Sequence, residues 1–94
     1  MKLHFFYVYV LFSFKDRKLY IGYSENLNNR ILEHQKGRVR ATKERLPLIL
    51  IHYEAFTNKN DAKAREKFLK SGFGRRQLKK ALQNRLKHLN YKHL

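Results

Sequence analysis

Residues 5–12 form an unbroken series of aromatic and branched side chains, residues 18–23 a shorter series of the same kind, and the five residues between them, Ser13-Phe14-Lys15-Asp16-Arg17, are polar enough to turn. Such side chains suit a pleated, half-buried surface, so the two runs are predicted to be strands of one hairpin turning at residues 13–17. No Asn-Gly or Asp-Gly pair marks that turn, and the hairpin is inferred from its flanks. Alternation along the first strand puts Phe6, Val8, Val10 and Phe12 on one face, which reads as core, and Tyr7, Tyr9 and Leu11 on the other. In the second strand Tyr20 and Gly22 share a face, so Tyr9 and Tyr20 can meet. Taken singly, each tyrosine is an ordinary strand residue at a wet edge.

The period then changes. Ser24 or Asn26 can cap a helix whose apolar residues Leu27, Ile31 and Leu32 recur at helical spacing, and Gly37 stops it. Arg30 and His34, four apart, project together from a neighbouring stripe. Residues 37–45 are dense in positive charge with little apolar pattern. They read as a loop or one short helical turn able to grip phosphates. Pro47 opens the aliphatic run 48–56, the clearest buried strand, expected centrally or between helices on both faces. Asn58 or Asn60 caps a second long helix ending near Ser71, before Gly72 and Gly74. On it Ala62, Glu66, Leu69 and Phe73 form one stripe expected to face the sheet. A carboxylate in such a stripe needs a cation. Arg65, Lys70 and a metal ion are equal candidates. Leu78, Leu82, Leu86 and Leu89, with basic residues between them, predict one amphipathic helix over 75–88 with a cationic outer face, and residues 91–94 a frayed end. Residues 1–74 thus make the domain, and residues 75–94 a basic helix packed on it, extending it, or pairing two copies.

Charge narrows the partners. The 94 residues carry 22 Lys and Arg against 7 Asp and Glu, a formal net charge of +15. That surface repels itself and seeks a polyanion, nucleic acid first; an anionic membrane is the weaker rival, since no amphipathic helix shows an exposed aromatic face. The chain contains no cysteine, so disulfides and thiolate metal sites are excluded and any metal must use oxygen or imidazole ligands. The N-terminal apolar run is too short to span a bilayer, and no secretory cleavage pattern follows it. A soluble, cytoplasmic protein is expected.

Tyr7-Val8-Tyr9, then Tyr20-Ile21-Gly22, an arginine on the following helix and a glutamate on a later one together resemble the GIY-YIG nuclease domain, from Phe6 to about Gly74. The likeness is closest to small stand-alone bacterial members, and Tyr-Ile-Gly-Tyr-Ser with Arg30 and His34 is also similar to the nuclease subunit that cuts branched DNA. Two positions depart from the pattern. Tyr7 stands where the family name has glycine, and Tyr23 where DNA-repair incision subunits carry lysine. The resemblance implies an α/β fold, a three-stranded antiparallel sheet flanked by helices, and a phosphodiesterase using one divalent metal, Mg2+ or Mn2+. Glu66 would hold the metal, Arg30 the scissile phosphate, and Tyr9 and Tyr20 would line the site of water attack, with His34 a further member and a competing base. Arg38, Arg40, Lys43, Arg45, Arg75 and Arg76 are the candidate nucleic-acid contacts. The expectation is an endonuclease on DNA, branched or damaged DNA included, of low sequence specificity, serving repair or recombination alone or beside a partner protein. RNA is the alternative substrate, and a binding module without useful turnover the alternative function.

Overall fold

In the computed structural model, which describes residues 3–91, Phe6–Ser13 (β1), Leu19–Ser24 (β2) and Leu48–Phe56 (β3) form one antiparallel sheet in the order β2-β1-β3. The hairpin closes without an Asn-Gly pair because polar side chains do its work. Arg17 takes a positive φ of 55°. Asp16 Oδ1 accepts from the Lys18 N–H at 3.0 Å, and Ser13 Oγ accepts from the Asp16 N–H at 3.2 Å. β1 is therefore the central strand. The aliphatic β3, expected centrally or between helices on both faces, lies at an edge with helices on both faces. Its run reflects packing on both faces rather than pairing on both sides: Leu48 and Leu50 join Tyr9 and Leu11, while Ile49 and Ile51 pack on the opposite cluster. A bulge lets this happen. Val10 pairs with His52 and Leu11 with Leu50, so Ile51 is the extra residue and Leu50 falls on the same face as Tyr53.

Helices cover both faces. Leu27–Gln35 (α1) lays Leu27 and Ile31 over Tyr9 and Leu11. Lys59–Lys70 (α2), Gly72–Ala81 (α3) and Gln83–His88 (α4) cover the other, where Val8, Val10, Phe12 and Ile21 meet Ala62, Leu69, Leu78 and Leu86. Each such fully buried aliphatic side chain contributes roughly 1.5–3 kcal/mol from leaving water.

The helical caps follow the sequence, with details it left open. Asn26 caps α1 by accepting from the Asn29 N–H, and Asn58, not Asn60, caps α2 by accepting from the N–H groups of Asn60 and Asp61. Gly37, at φ 73°, ends α1 as the chain reverses. Its N–H donates to His34 O, and that of Arg38 to Glu33 O.

Four expectations about the C-terminal half are corrected. Ser71 ends α2 and caps α3, its side chain accepting from the Gly74 N–H, so Gly72 and Gly74 begin a helix rather than interrupt one. A Cβ at Gly74 would overlap the Phe68 carbonyl, which is what demands glycine there. Because the axis turns at Ser71, Phe73 leaves the Ala62 and Leu69 stripe and is 61% exposed. The predicted single helix over 75–88 is two, broken at Leu82. Tyr91, expected to fray, is buried against the main core, while residues 92–94 lie outside the described residues.

Candidate active site

Tyr9 lies in the central strand with Gly22 opposite on β2 and Tyr53 opposite on β3. A Cβ at Gly22 would sit on the Tyr9 Cζ and hydroxyl, so the glycine of Tyr20-Ile21-Gly22 is the space into which the phenol lies. The Tyr9 side chain is buried, and its hydroxyl oxygen is 2.8 Å from His34 Nε2. The other imidazole nitrogen, Nδ1, is 2.7 Å from Thr42 Oγ1. His34 and Thr42 are fully buried. Tyr20 completes the group, its ring centroid 5.1 Å from that of His34 and 6.4 Å from that of Tyr9.

Burial, and secondarily the Arg30 charge, lower the His34 pKa to about 4, so its imidazole is neutral and carries one proton. Two hydroxyls and one neutral imidazole in a row leave one O–H without an acceptor, at one end or the other. At the Thr42 end it would be sealed in the interior, at a cost of about 1–3 kcal/mol. At the Tyr9 end the phenol borders Gly22, where no side chain intervenes, and the Arg30 side chain. We therefore assign the Thr42 hydroxyl as donor to Nδ1 and the His34 Nε2–H as donor to the Tyr9 oxygen. Burial raises the Tyr9 pKa, while the nearby Arg30 side chain pulls it back down. Tyr9 thus rests as a phenol whose oxygen faces a neutral donor and a cation. His34, with both nitrogens engaged and no exposure, has no free lone pair to offer a water.

Glu66 approaches from α2, on the opposite face of the sheet from α1. Its side chain is 16% exposed, and Oε2 accepts from Lys70 Nζ at 3.0 Å. Of the two lysine and arginine candidates for its partner, Lys70 is the one it meets; Arg65 binds Glu54 through two hydrogen bonds. The Glu66 charge also reaches the sheet, raising the pKa of Tyr9 and, more weakly than its neighbour Glu25, that of Tyr23. The two faces can share a cleft here because β2 is an edge strand.

A divalent cation fits this arrangement in one particular way. Among the described residues no three His, Asp or Glu side chains converge, so no closed protein cage exists. Glu66 Oε1, however, has no protein hydrogen bond among those residues. One open carboxylate oxygen at a solvent margin suits Mg2+, which keeps most of its waters and takes one or two carboxylates.

The basic residues divide. Arg40 and Lys43 are exposed after α1, and Arg38 is 63% exposed with only a 3.8 Å approach to Glu33. Arg75 and Arg76 stand at the start of α3, half-buried and exposed respectively. Arg45 is otherwise engaged. Its Nε and Nη2 donate to the two Asp16 oxygens at 2.6 and 3.2 Å, tying its loop to the hairpin turn. Sequence reasoning missed Thr42, whose only outward signal is its place on the return path from Gly37.

Comparison with known proteins accords with this arrangement. A family described as the GIY-YIG catalytic domain matches residues 5–80. The chain is 39% identical over 80 residues to a UPF0213 protein of Staphylococcus haemolyticus, covering 84% of this chain and 95% of that one. It is 36% identical over 86 residues to a UPF0213 protein of Clostridium perfringens, covering 90% and 91%, and 38% identical over 87 residues to one of Lactococcus lactis, covering 92% and 86%. No solved structure matches. With its two tyrosine motifs, its sheet and most of its helical cover inside the matched span, the chain belongs to the GIY-YIG nuclease domain family.

Proposed function

We propose that the protein is a divalent-metal-dependent endonuclease that hydrolyses DNA phosphodiester bonds, selecting substrates by shape more than by sequence, in DNA repair or recombination. The observation that carries this reading is the buried Tyr9 phenol, 2.8 Å from neutral His34 and flanked by Arg30, with a carboxylate near enough to alter its pKa. In-line hydrolysis needs charge stabilisation on the non-bridging oxygens and a group that orients or deprotonates water. Arg30 supplies the first. Tyr9 supplies the second: once ionised, its oxygen is stabilised by Arg30 and the His34 Nε2–H and takes a proton from the attacking water. Tyr20 packs against His34 and helps fix that orientation. Members of this family generally require a divalent metal, which Glu66 would hold, and a bound metal would stabilise the charge that develops on the scissile phosphate. Arg38, Arg40 and Lys43, following the helix that carries Arg30, would grip flanking phosphates, with Arg75 and Arg76 as an outlying pair.

Nicking of supercoiled plasmid with magnesium or manganese tests the reading. Wild type nicks. Glu66→Ala does not, yet still retards the same DNA, because phosphate contacts come from lysine and arginine. A wild type that cuts no duplex, branched or single-stranded substrate would leave a binding module of the same fold. Equal nicking by Glu66→Ala would remove Glu66 from the chemistry.

A further inference from the structure

A cavity of about 300 Å3 opens beside the proposed site, lined by Tyr7, Glu25, Asn26, Leu27, Asn28 and Tyr53. Its position is set by residues already described. Tyr53 is the β3 partner of Tyr9, Tyr7 is two residues before Tyr9 on the same face of β1, and Leu27 lies less than one helical turn before Arg30. Whatever fills this cavity therefore adjoins a phosphate held by Arg30.

The lining has the chemistry of a base and not of a phosphate. Tyr7 and Tyr53 meet edge to face with ring centroids 6.0 Å apart. Tyr53 is 52% exposed on a strand edge. Leu27 adds an apolar wall. Asn26 uses its oxygen to cap α1, which leaves its amide N–H groups outward, and the exposed Asn28 side chain has no hydrogen bond among the described residues. Glu25 at the rim is already engaged, Oε1 with His4 Nε2 at 3.3 Å and Oε2 with the Tyr23 hydroxyl at 3.1 Å and Lys59 Nζ at 3.6 Å. The volume stands at the lower end of small-ligand pockets (~300–1,000 Å3), enough for a planar ring system.

We propose that this cavity receives one unpaired nucleobase, from the strand whose phosphate lies at Arg30, stacked on the exposed ring of Tyr53 with Tyr7 at its edge. This rests on the nuclease reading and gives it a substrate class. A base inside a duplex cannot enter without unpairing, so single-stranded, flapped or branched DNA binds better than perfect duplex.

The test measures binding alone, with EDTA present so that no cleavage occurs. An oligodeoxyadenylate and a wholly abasic strand with the same number of phosphates are titrated by anisotropy. Stacking predicts that wild type binds the adenylate about 5-fold to 100-fold more tightly. Tyr53→Phe keeps that ratio and Tyr53→Ala, at an exposed position, brings it close to one while leaving the abasic strand's affinity unchanged. Equal binding of the adenylate and abasic strands by wild type overturns the proposal, as does a ratio that survives Tyr53→Ala. Plasmid nicking is read separately. A protein that nicks but ignores bases loses only the pocket, and one that binds bases but never nicks loses only the nuclease.

Discussion

Acidification should unfold this protein through one side chain first. His34 is fully buried among Tyr9, Tyr20, Thr42 and Arg30, and its pKa is held down to about 4 against 6.5 for a free imidazole. Between those two values the unfolded chain binds a proton that the folded chain refuses, so stability falls as pH falls. The contribution is fully present above about pH 6.5 and gone near pH 4. The gap is worth on the order of 3 kcal/mol, a large share of the roughly 5–15 kcal/mol by which native domains are stable. Other groups act in a separate window. Asp16, Glu25 and Glu54 have lowered pKa values, so their contributions are present above their unfolded values of 3.8, 4.5 and 4.5 and fade only below them. Urea unfolding of wild type and His34→Gln at steps between pH 7 and 4.5 isolates the imidazole. Wild type should lose on the order of 2 kcal/mol more than the variant across that range. Parallel curves would refute the buried neutral imidazole.

Three further perturbations probe the rest of the site. Gly22→Ala should cost about 1–3 kcal/mol by chemical denaturation and abolish cleavage, because the new methyl displaces the Tyr9 ring. Thr42→Val, nearly the same in shape, strands His34 Nδ1 and should cost about 1–3 kcal/mol; Thr42→Ser should restore it, and nitrogen-15 spectra should show a single Nε2–H tautomer only where the hydroxyl is present. Arg40→Ala and Lys43→Ala should each lower the slope of log affinity against log salt by about 1, while Arg45→Ala, which loses its Asp16 partner, should lower the melting temperature and leave the slope unchanged.

What the sequence could reveal depended on whether a local pattern carried the information. The hairpin, α1 and α2 were legible because each has its own period and its own cap, and the glutamate within the Ala62 and Leu69 stripe was legible because a charge breaks an apolar rule. Strand order was not. The aliphatic β3 looks central by composition, yet an edge strand sandwiched between two clusters reads the same way. The turn at Ser71 was hidden because Gly72 and Gly74 mark an end as readily as a beginning. Thr42 was invisible for a related reason. Its role exists only because Gly37 reverses the chain beneath His34, a contact between residues eight apart that no helical or strand spacing announces.

The edge position of β2 explains why these particular residues are needed together. Tyr9 faces α1 and Glu66 belongs to α2, so a sheet with partners on both sides of β2 would keep them apart. With β2 outermost, the wall between the two faces ends one strand beyond Tyr9, and Gly22 thins it further by offering no side chain where the phenol lies. A basic surface alone would gather nucleic acid anywhere on the molecule. In the proposed nuclease, the phenol beside Arg30 and the open Glu66 oxygen give the strand one place to be held.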